Sequence, residues 1–277
     1  MDVGTQSGTD VRLEWGGEGV SVLGRECAVL IVVDVLSFST TTDLVIGRGG
    51  RVRPLRWRDE RGAAEARAAG AALAGEGAWT LRPSSVTEIP SGTLLALPSP
   101  NGATLCAAAA ETNAQVLVGC LRNAAATAAK ALEIAAGRPI GLIPAGERWG
   151  VDLITDGPTF GPLRPCAEDQ LGAGAIVSAL RGVRSAEAEL AAAAYAATDV
   201  PSALHACTSG RELAAAGHRN DVILAAQQDV SDTVARLADG ILEAACAGPK
   251  WPTAFSRAAT RNSTSPPAWC SAKSAAW

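Results

Sequence analysis

Ala28-Val-Leu-Ile-Val-Val-Asp34-Val-Leu-Ser-Phe-Ser-Thr-Thr-Thr42 is the stretch whose reading decides the fold. An unbroken aliphatic run reads as a strand buried on both faces, as in a parallel sheet. The run ends in an acid, and a Ser/Thr-rich segment leads into a helical pattern through Leu44, Val45 and Ile46. In open α/β sheets ligands bind beyond the carboxyl ends of the strands, which places Asp34 at the rim of a site. Ser39 or Thr40 would open the helix, whose free N–H groups attract anions. A plainer reading also fits: Asp34 only ends the strand and Ser39 only caps the helix.

The rest of the chain repeats this theme. Val11–Trp15 reads as a first strand, with Gly16, Gly17 and Gly19 turning the chain. Strands follow over 52–57, 93–97, 116–119, 140–143 and 221–225. Helices are predicted over 59–75, 103–111, 124–136, 167–180, 185–197, 205–217 and 233–247, with Asn123 as an N-cap. Residues 79–90 read as loop plus an edge strand. Residues 148–165, rich in Gly and Pro, read as a surface loop and candidate lid. This alternation is the signature of the α/β class. Residues 1–10 form a flexible lead-in, 11–247 the folded domain, and 248–277 a poorly ordered tail where periodicity gives way to Pro, Ser and Thr.

Composition narrows the function. The chain has 277 residues, 48% hydrophobic, with a formal net charge of −4. Such a balance gives no general attraction to nucleic acid or to an anionic membrane. No apolar run reaches the ~20 residues of a spanning helix, and Met1–Asp10 lacks the layout of a signal peptide, so a cytoplasmic protein is expected. The seven cysteines are scattered, with no Cys-x-x-Cys pair, which indicates neither a zinc site nor a disulfide framework.

Several phosphate chemistries fail at the level of motif. The chain has no Gly-x-x-x-x-Gly-Lys-Ser/Thr loop, and Gly172-Ala-Gly174 follows an acidic helix start rather than a strand. Leu36 stands where haloacid-dehalogenase-type phosphatases carry a second Asp. Cys207 and Arg211 have three intervening residues where cysteine phosphatases need five. With His205 and His218 as its only histidines, the chain would hold a metal mainly through oxygen, which points to Mg²⁺. The acids near strand ends or helix starts are Asp34, Glu147, Glu168 and Asp169. For the last two, the helix dipole alone is a sufficient structural role.

Four segments together resemble one family. Asp34-Val-Leu-Ser-Phe-Ser-Thr-Thr41, Ser99-Pro-Asn-Gly102, Pro144-Ala-Gly-Glu147 and Glu168-Asp-Gln-Leu-Gly-Ala-Gly174 occur in the order and spacing of the 2-phosphosulfolactate phosphatases, the ComB family. Gly210-Arg-Glu-Leu213 with Gly217 and Asp221 is similar to the family's C-terminal signature. The likeness runs from about Val11 to Gly240. It implies a three-layer α/β/α sandwich with a largely parallel or mixed sheet. It further implies a Mg²⁺-dependent phosphatase that hydrolyses (2R)-2-phospho-3-sulfolactate to 3-sulfolactate and phosphate, a step of coenzyme M biosynthesis.

On that resemblance, Asp34, Glu147 and Asp169 hold Mg²⁺, and Asp34 and Glu168 are the catalytic acids. Ser37, Ser39, Thr40, Asn101, the Gly102 N–H and Arg122 then bind the substrate and its phosphate. Two positions depart from the family. Ser37 stands where better-studied members carry Arg, and Thr104 where they carry a basic residue. Arg122, Arg148, Arg164 and Arg211 are the arginines available to replace them. The partners expected are a small anionic phosphorylated substrate and a second copy of the chain in a homodimer, with neither nucleic acid nor membrane. Two other readings stand beside this one: a phosphatase of another phosphorylated hydroxy acid, and a paralogue that binds an anionic metabolite without turnover.

Overall fold

The computed structural model describes residues 3–149 and 161–245. Strand β1 (Val11–Leu13) leads through helix α1 (Gly16–Leu23) to β2 (Val29–Val33), the apolar run of the central stretch. All five β2 side chains are shut off from solvent, each burial worth roughly 1.5–3 kcal/mol. Alternation along β2 sets the layers. Val29, Ile31 and Val33 enter one core, and Leu30 and Val32 the other.

Helix α2 (Phe38–Gly47), β3 (Arg51–Leu55), α3 (Glu60–Ala68), β4 (Ala72–Leu73), β5 (Leu94–Pro98) and α4 (Gly102–Ala110) follow. Next come β6 (Gln115–Gly119), α5 (Ala124–Ala135), β7 (Ile140–Pro144) and the short pair β8 (Glu147–Arg148) and β9 (Leu163–Arg164). The chain continues with α6 (Ala167–Ala179), α7 (Ala186–Ala196), α8 (Val200–Ala206), α9 (Thr208–Ala215), α10 (Arg219–Ala225), β10 (Ala235–Ala238) and β11 (Ile241–Ala244). Among the described residues nine strands form one mixed sheet in the order β1-β7-β2-β6-β10-β11-β3-β5-β4. Helices α5, α6, α7, α8 and α10 contribute to the core on one face, and α1, α2 and α4 to the core on the other. The result is the three-layer α/β sandwich expected.

The sheet contains two parallel blocks of opposite sense. Strands β1, β7, β2 and β6 run one way. Strands β3, β5 and β4 form the second block. The β10–β11 hairpin joins them, pairing antiparallel with β6 on one side and with β3 on the other. Five steps from β2 to β5, at about 20–25° of twist each, turn β5 by roughly 100–125°. The carboxyl end of β5 can therefore meet that of β2 although the ladders alone give the strands opposite senses.

Several elements differ from the sequence reading. The glycines after Trp15 lie in helix α1, which buries Val20 and Leu23. Helix α3 stops at Ala68, and the Ala72–Leu73 pair is taken up by β5 as the edge strand. Residues 221–225, read as a strand, belong to helix α10; a five-residue apolar run carries too few periods to decide between the two. The helix expected over 233–247 is the β10–β11 hairpin, with the hairpin dipeptide Asp239-Gly240 at its turn. Helix 205–217 breaks at Cys207 into α8 and α9.

Residues 3–10 of the expected flexible lead-in are tied down. Thr5 is buried, and Gln6 donates through Nε2 to the Leu13 carbonyl at 2.8 Å. The tail of 248–277 and most of the 148–165 loop lie outside the described residues. The ends of that loop pair as β8 and β9, Glu147 opposite Arg164.

Candidate active site

Register brings the first group of site residues together. Val33 at the end of β2 pairs with Gly119 of β6 and Pro144 of β7, so the carboxyl ends of three parallel strands finish level. Asp34 follows β2, and Ala145, Gly146 and Glu147 follow β7. Helix α6 begins beneath these two loops and holds them to each other. Asp169 accepts from the Val35 N–H through Oδ1 at 2.7 Å and from the Gly146 N–H through Oδ2 at 2.8 Å.

The second group arrives with β5 and α4. Asp34 Oδ2 accepts from the Gly102 N–H at 2.8 Å and from Ser99 Oγ at 3.3 Å, and Oδ1 accepts from the Phe38 N–H at 3.3 Å. Close approach at Gly102 requires glycine: a Cβ there would lie 2.8 Å from Asp34 Oδ2 and only 2.3 Å from Phe38 Cδ1. Asn101, the N-cap of α4, donates through Nδ2 to Glu147 Oε2 at 2.9 Å, so α4 contacts both acids.

Four acids thus act on one another, and the electrostatics show it. Burial raises Asp34 above the usual carboxylate range and the Glu168 charge adds to it, while the N–H groups of Gly102 and Phe38 and the Ser99 hydroxyl oppose the rise. Burial, then the charge of Asp34, lifts Glu147 to about 7 against the Asn101 hydrogen bond. Asp169 is raised well above its ordinary value by burial, then by the charges of Asp34 and Glu168. Glu168 itself is 3% exposed.

The remaining sequence-predicted residues have other placements. Ser39 Oγ accepts from the Asp34 N–H at 2.9 Å, and Thr40 Oγ1 donates to the Val35 carbonyl at 2.8 Å. Both hydroxyls bond to the loop's own backbone, because both residues are buried and a buried hydroxyl takes the nearest backbone partner. Ser37 sits buried at the N-cap of α2 without a side-chain cap bond. Arg122 does not join the acids around Asp34. Its Nε donates to Asp43 Oδ2 at 2.8 Å, its Nη1 reaches the Leu224 carbonyl and Gln227, and Ser231 Oγ completes the cluster on Asp43 Oδ1. Among the described residues no three His, Cys, Asp or Glu side chains stand close enough to enclose one metal ion. The expected set of Asp34, Glu147 and Asp169 is therefore not a preformed cage; both Asp169 oxygens are held by backbone N–H groups.

The family model described as 2-phosphosulpholactate phosphatase matches residues 22–240. The chain belongs to the 2-phosphosulpholactate phosphatase family. That family is one of phosphoric monoester hydrolases. No curated protein matches the chain. The match spans β2 through the turn of the closing hairpin and so takes in every residue of the acidic centre.

In this 2-phosphosulpholactate phosphatase family member one cation near the centre, Arg164, is among the arginines expected there, and a second, Arg58, is not. Arg164 lies opposite Glu147 in the β8–β9 pair, and its charge draws the Glu147 pKa back down. Arg58, three residues beyond β3, feels the fields of Glu147 and Asp34. Sequence reasoning missed Arg58 because it stands in an arginine-rich stretch with Arg51, Arg53, Arg56 and Arg61, where nothing distinguishes one from another. The Ser99 hydroxyl was also missed as a partner of Asp34, although it opens the quoted Ser99-Pro-Asn-Gly102 segment.

Proposed function

We propose that the chain is a Mg²⁺-dependent phosphatase that hydrolyses (2R)-2-phospho-3-sulfolactate to 3-sulfolactate and phosphate. One observation carries the reading: Asp34, Glu147, Glu168 and Asp169 interact at aligned strand ends, against the N-terminus of α4. Mutually repelling buried carboxyls are costly unless a cation or protons neutralise them. Their donors are all hard oxygens, which suit Mg²⁺, and an ion that keeps several waters and takes one or two carboxylates needs no three-sided cage. Asp34 and Glu147 would hold it, with Asp169 fixing the loops that carry them. When bound, Mg²⁺ supplies charge to the phosphoryl oxygens and lowers the pKa of water.

The chain's own residues do the rest. Gly102 and Phe38 donate to the two oxygens of Asp34 and fix its plane. Asn101 orients Glu147 in the same way. A water oxygen forms a bond to phosphorus, the bond from phosphorus to the C2 oxygen breaks, and one proton passes to that oxygen. Glu168, buried beside Asp34 and Asp169, is the group assigned to move that proton.

The test is phosphate release from 2-phospho-3-sulfolactate by wild type and Asp34→Asn. Wild type should lose activity in EDTA and regain it with Mg²⁺. Asp34→Asn should lose at least about a hundredfold in turnover, in the range of a lost preorganised charge at a reacting centre. Full activity after exhaustive chelation, or wild-type turnover in Asp34→Asn, overturns the reading.

A further inference from the structure

On the side of the acidic centre where the leaving half would lie, Ser37 and Thr104 offer no positive charge, Arg122 is committed to Asp43 and Arg164 faces Glu147. A phosphomonoester whose leaving half carries its own acid group needs a cation near that half. The loop after β3 offers one. Leu55 pairs with Pro98, and the Leu55 carbonyl accepts from the Ser99 N–H at 3.0 Å, so residues 56–59 lie beside the segment that donates to Asp34.

The other charges of this loop have partners on the loop itself or on α3, Arg56 lying over the Trp57 ring at 5.4 Å. Asp59 pairs with Arg61, and Glu60 pairs with Arg67. The Trp57 ring is covered by the Arg61 guanidinium at 3.8 Å. Arg58 has no ion-pair partner among the described residues. It keeps solvent access. Neighbouring protein atoms strip some water from its guanidinium and push its pKa down, and the charges of Glu147 and Asp34 act against that push.

Beside Arg58 opens a cavity of about 590 Å³, within the usual size range for small-molecule sites. Trp57, Arg58 and Pro98 line it from one side, and Thr80, Leu81 and Arg82 from another. Arg82 is a fixed cation: its Nε donates to Thr80 Oγ1 at 3.2 Å and its Nη1 lies 2.9 Å from His218 Nδ1. Asp221 steadies the turn behind it by accepting from the Ser84 N–H at 2.8 Å. Of the acids lining the cavity, only Glu76 has no ion-pair partner among the described residues.

We propose that this cavity receives the leaving half of the substrate, with Arg58 binding its acid group, a carboxylate or sulfonate, and Arg82 bounding the far wall. The assignment rests on the phosphatase reading above and makes Arg58 a specificity-determining residue. It explains how a chain with Ser37 and Thr104 retains a cation for an anionic substrate. A charged hydrogen bond between guanidinium and oxyanion is directional and strong, so its loss shows as weaker binding of acid-bearing esters.

The experiment compares wild type, Arg58→Met and Arg58→Lys on 2-phospho-3-sulfolactate and on methyl phosphate, which has no acid group beyond its phosphate. The ratio of kcat/KM between the two esters should fall at least about tenfold in Arg58→Met, through KM, with partial recovery in Arg58→Lys. Thermal melts of all three verify folding. Calorimetric titration of 3-sulfolactate should show a parallel weakening of Kd. An unchanged ratio overturns the assignment, because a general loss of catalysis lowers both esters together. If wild type hydrolyses methyl phosphate without preferring the acid-bearing ester, the Arg58 assignment falls and the phosphatase reading stands. If neither ester is hydrolysed but 3-sulfolactate binds with Arg58-dependent affinity, the phosphatase reading falls and the assignment stands.

Discussion

Burying one carboxyl beside another costs more than burying it alone, and Glu147 registers that cost with a pKa of about 7. Its folded value lies above the ordinary 4.5, so between those two values the folded state holds more protons than the unfolded one. Stability of the metal-free protein therefore falls as pH rises through this window and levels off above it. Asp34 and Asp169 shift in the same direction and steepen the fall. Thermal melts in EDTA should show a lower midpoint at about pH 8 than at about pH 5, with a shallower slope in Glu147→Gln. A midpoint that climbs with pH would contradict this. Arg122 makes a different prediction. Arg122→Ala leaves Asp43 buried with the Ser231 hydroxyl but without its counter-charge, which should destabilise by about 3–5 kcal/mol, measured by urea unfolding. The same variant, assayed well below its melting temperature, should keep the wild-type KM; a raised KM would return Arg122 to the site. At this scale the four acids and Asn101 are legible, because a motif coincides with a strand end at Asp34, Asn101 and Glu147 and with a helix start at Glu168 and Asp169. Arg58 was not, since nothing local records that β3 ends beside β5.

Elements with long apolar runs were the easiest to read. Strands β2, β5, β6 and β7 announce themselves, and helices α4 and α5 follow from their Ala-rich composition. The C-terminal third was harder. Thr233–Ala247 has enough Ala and Leu to pass for a helix, but Asp239 and Gly240 both adopt positive φ, the turn of a two-residue hairpin. That local signal was present and should have outweighed composition. Helix α4 gives the sharpest test at this scale. Its first residue, Gly102, lies against the Phe38 ring and Asp34, and Phe38 is wholly buried and cannot retreat. Gly102→Ala should force α4 outward, lower stability by about 1–3 kcal/mol and reduce turnover more than it weakens folding. Equal turnover with a lowered melting temperature would show that the Gly102 N–H does not matter to Asp34.

Across the whole molecule the decisive feature is the join between the two parallel blocks. Strand β10 pairs with β6 through two residues, and β11 with β3 through the single pair Leu242 and Val52. Leu242 is fully buried in the core shared by α1, α2 and α4. Leu242→Ala should cost about 2–5 kcal/mol and, in hydrogen exchange, expose β3 and β5 more than β2 and β7. A uniform rise in exchange would mean that the blocks do not open separately. Strand order could not be read from the sequence, because the sheet places chain-distant segments side by side: β1 next to β7, and β6 next to β10. The family resemblance identified the architecture without that order.

The same strand order governs how the protein comes off the ribosome. Strand β2, the most apolar segment, is made early, at Val29–Val33, but its neighbours β6 and β7 end only at Gly119 and Pro144. Asp169, which ties the two acid-bearing loops together, is translated later still, and the hairpin that joins the blocks last of all. From Val33 until Pro144 is made, the nascent chain therefore carries an aliphatic strand that lacks one or both neighbours, the kind of surface that chaperones cover. The acidic centre cannot close until nearly the entire described chain has emerged, so truncated translation products would have no partially working form.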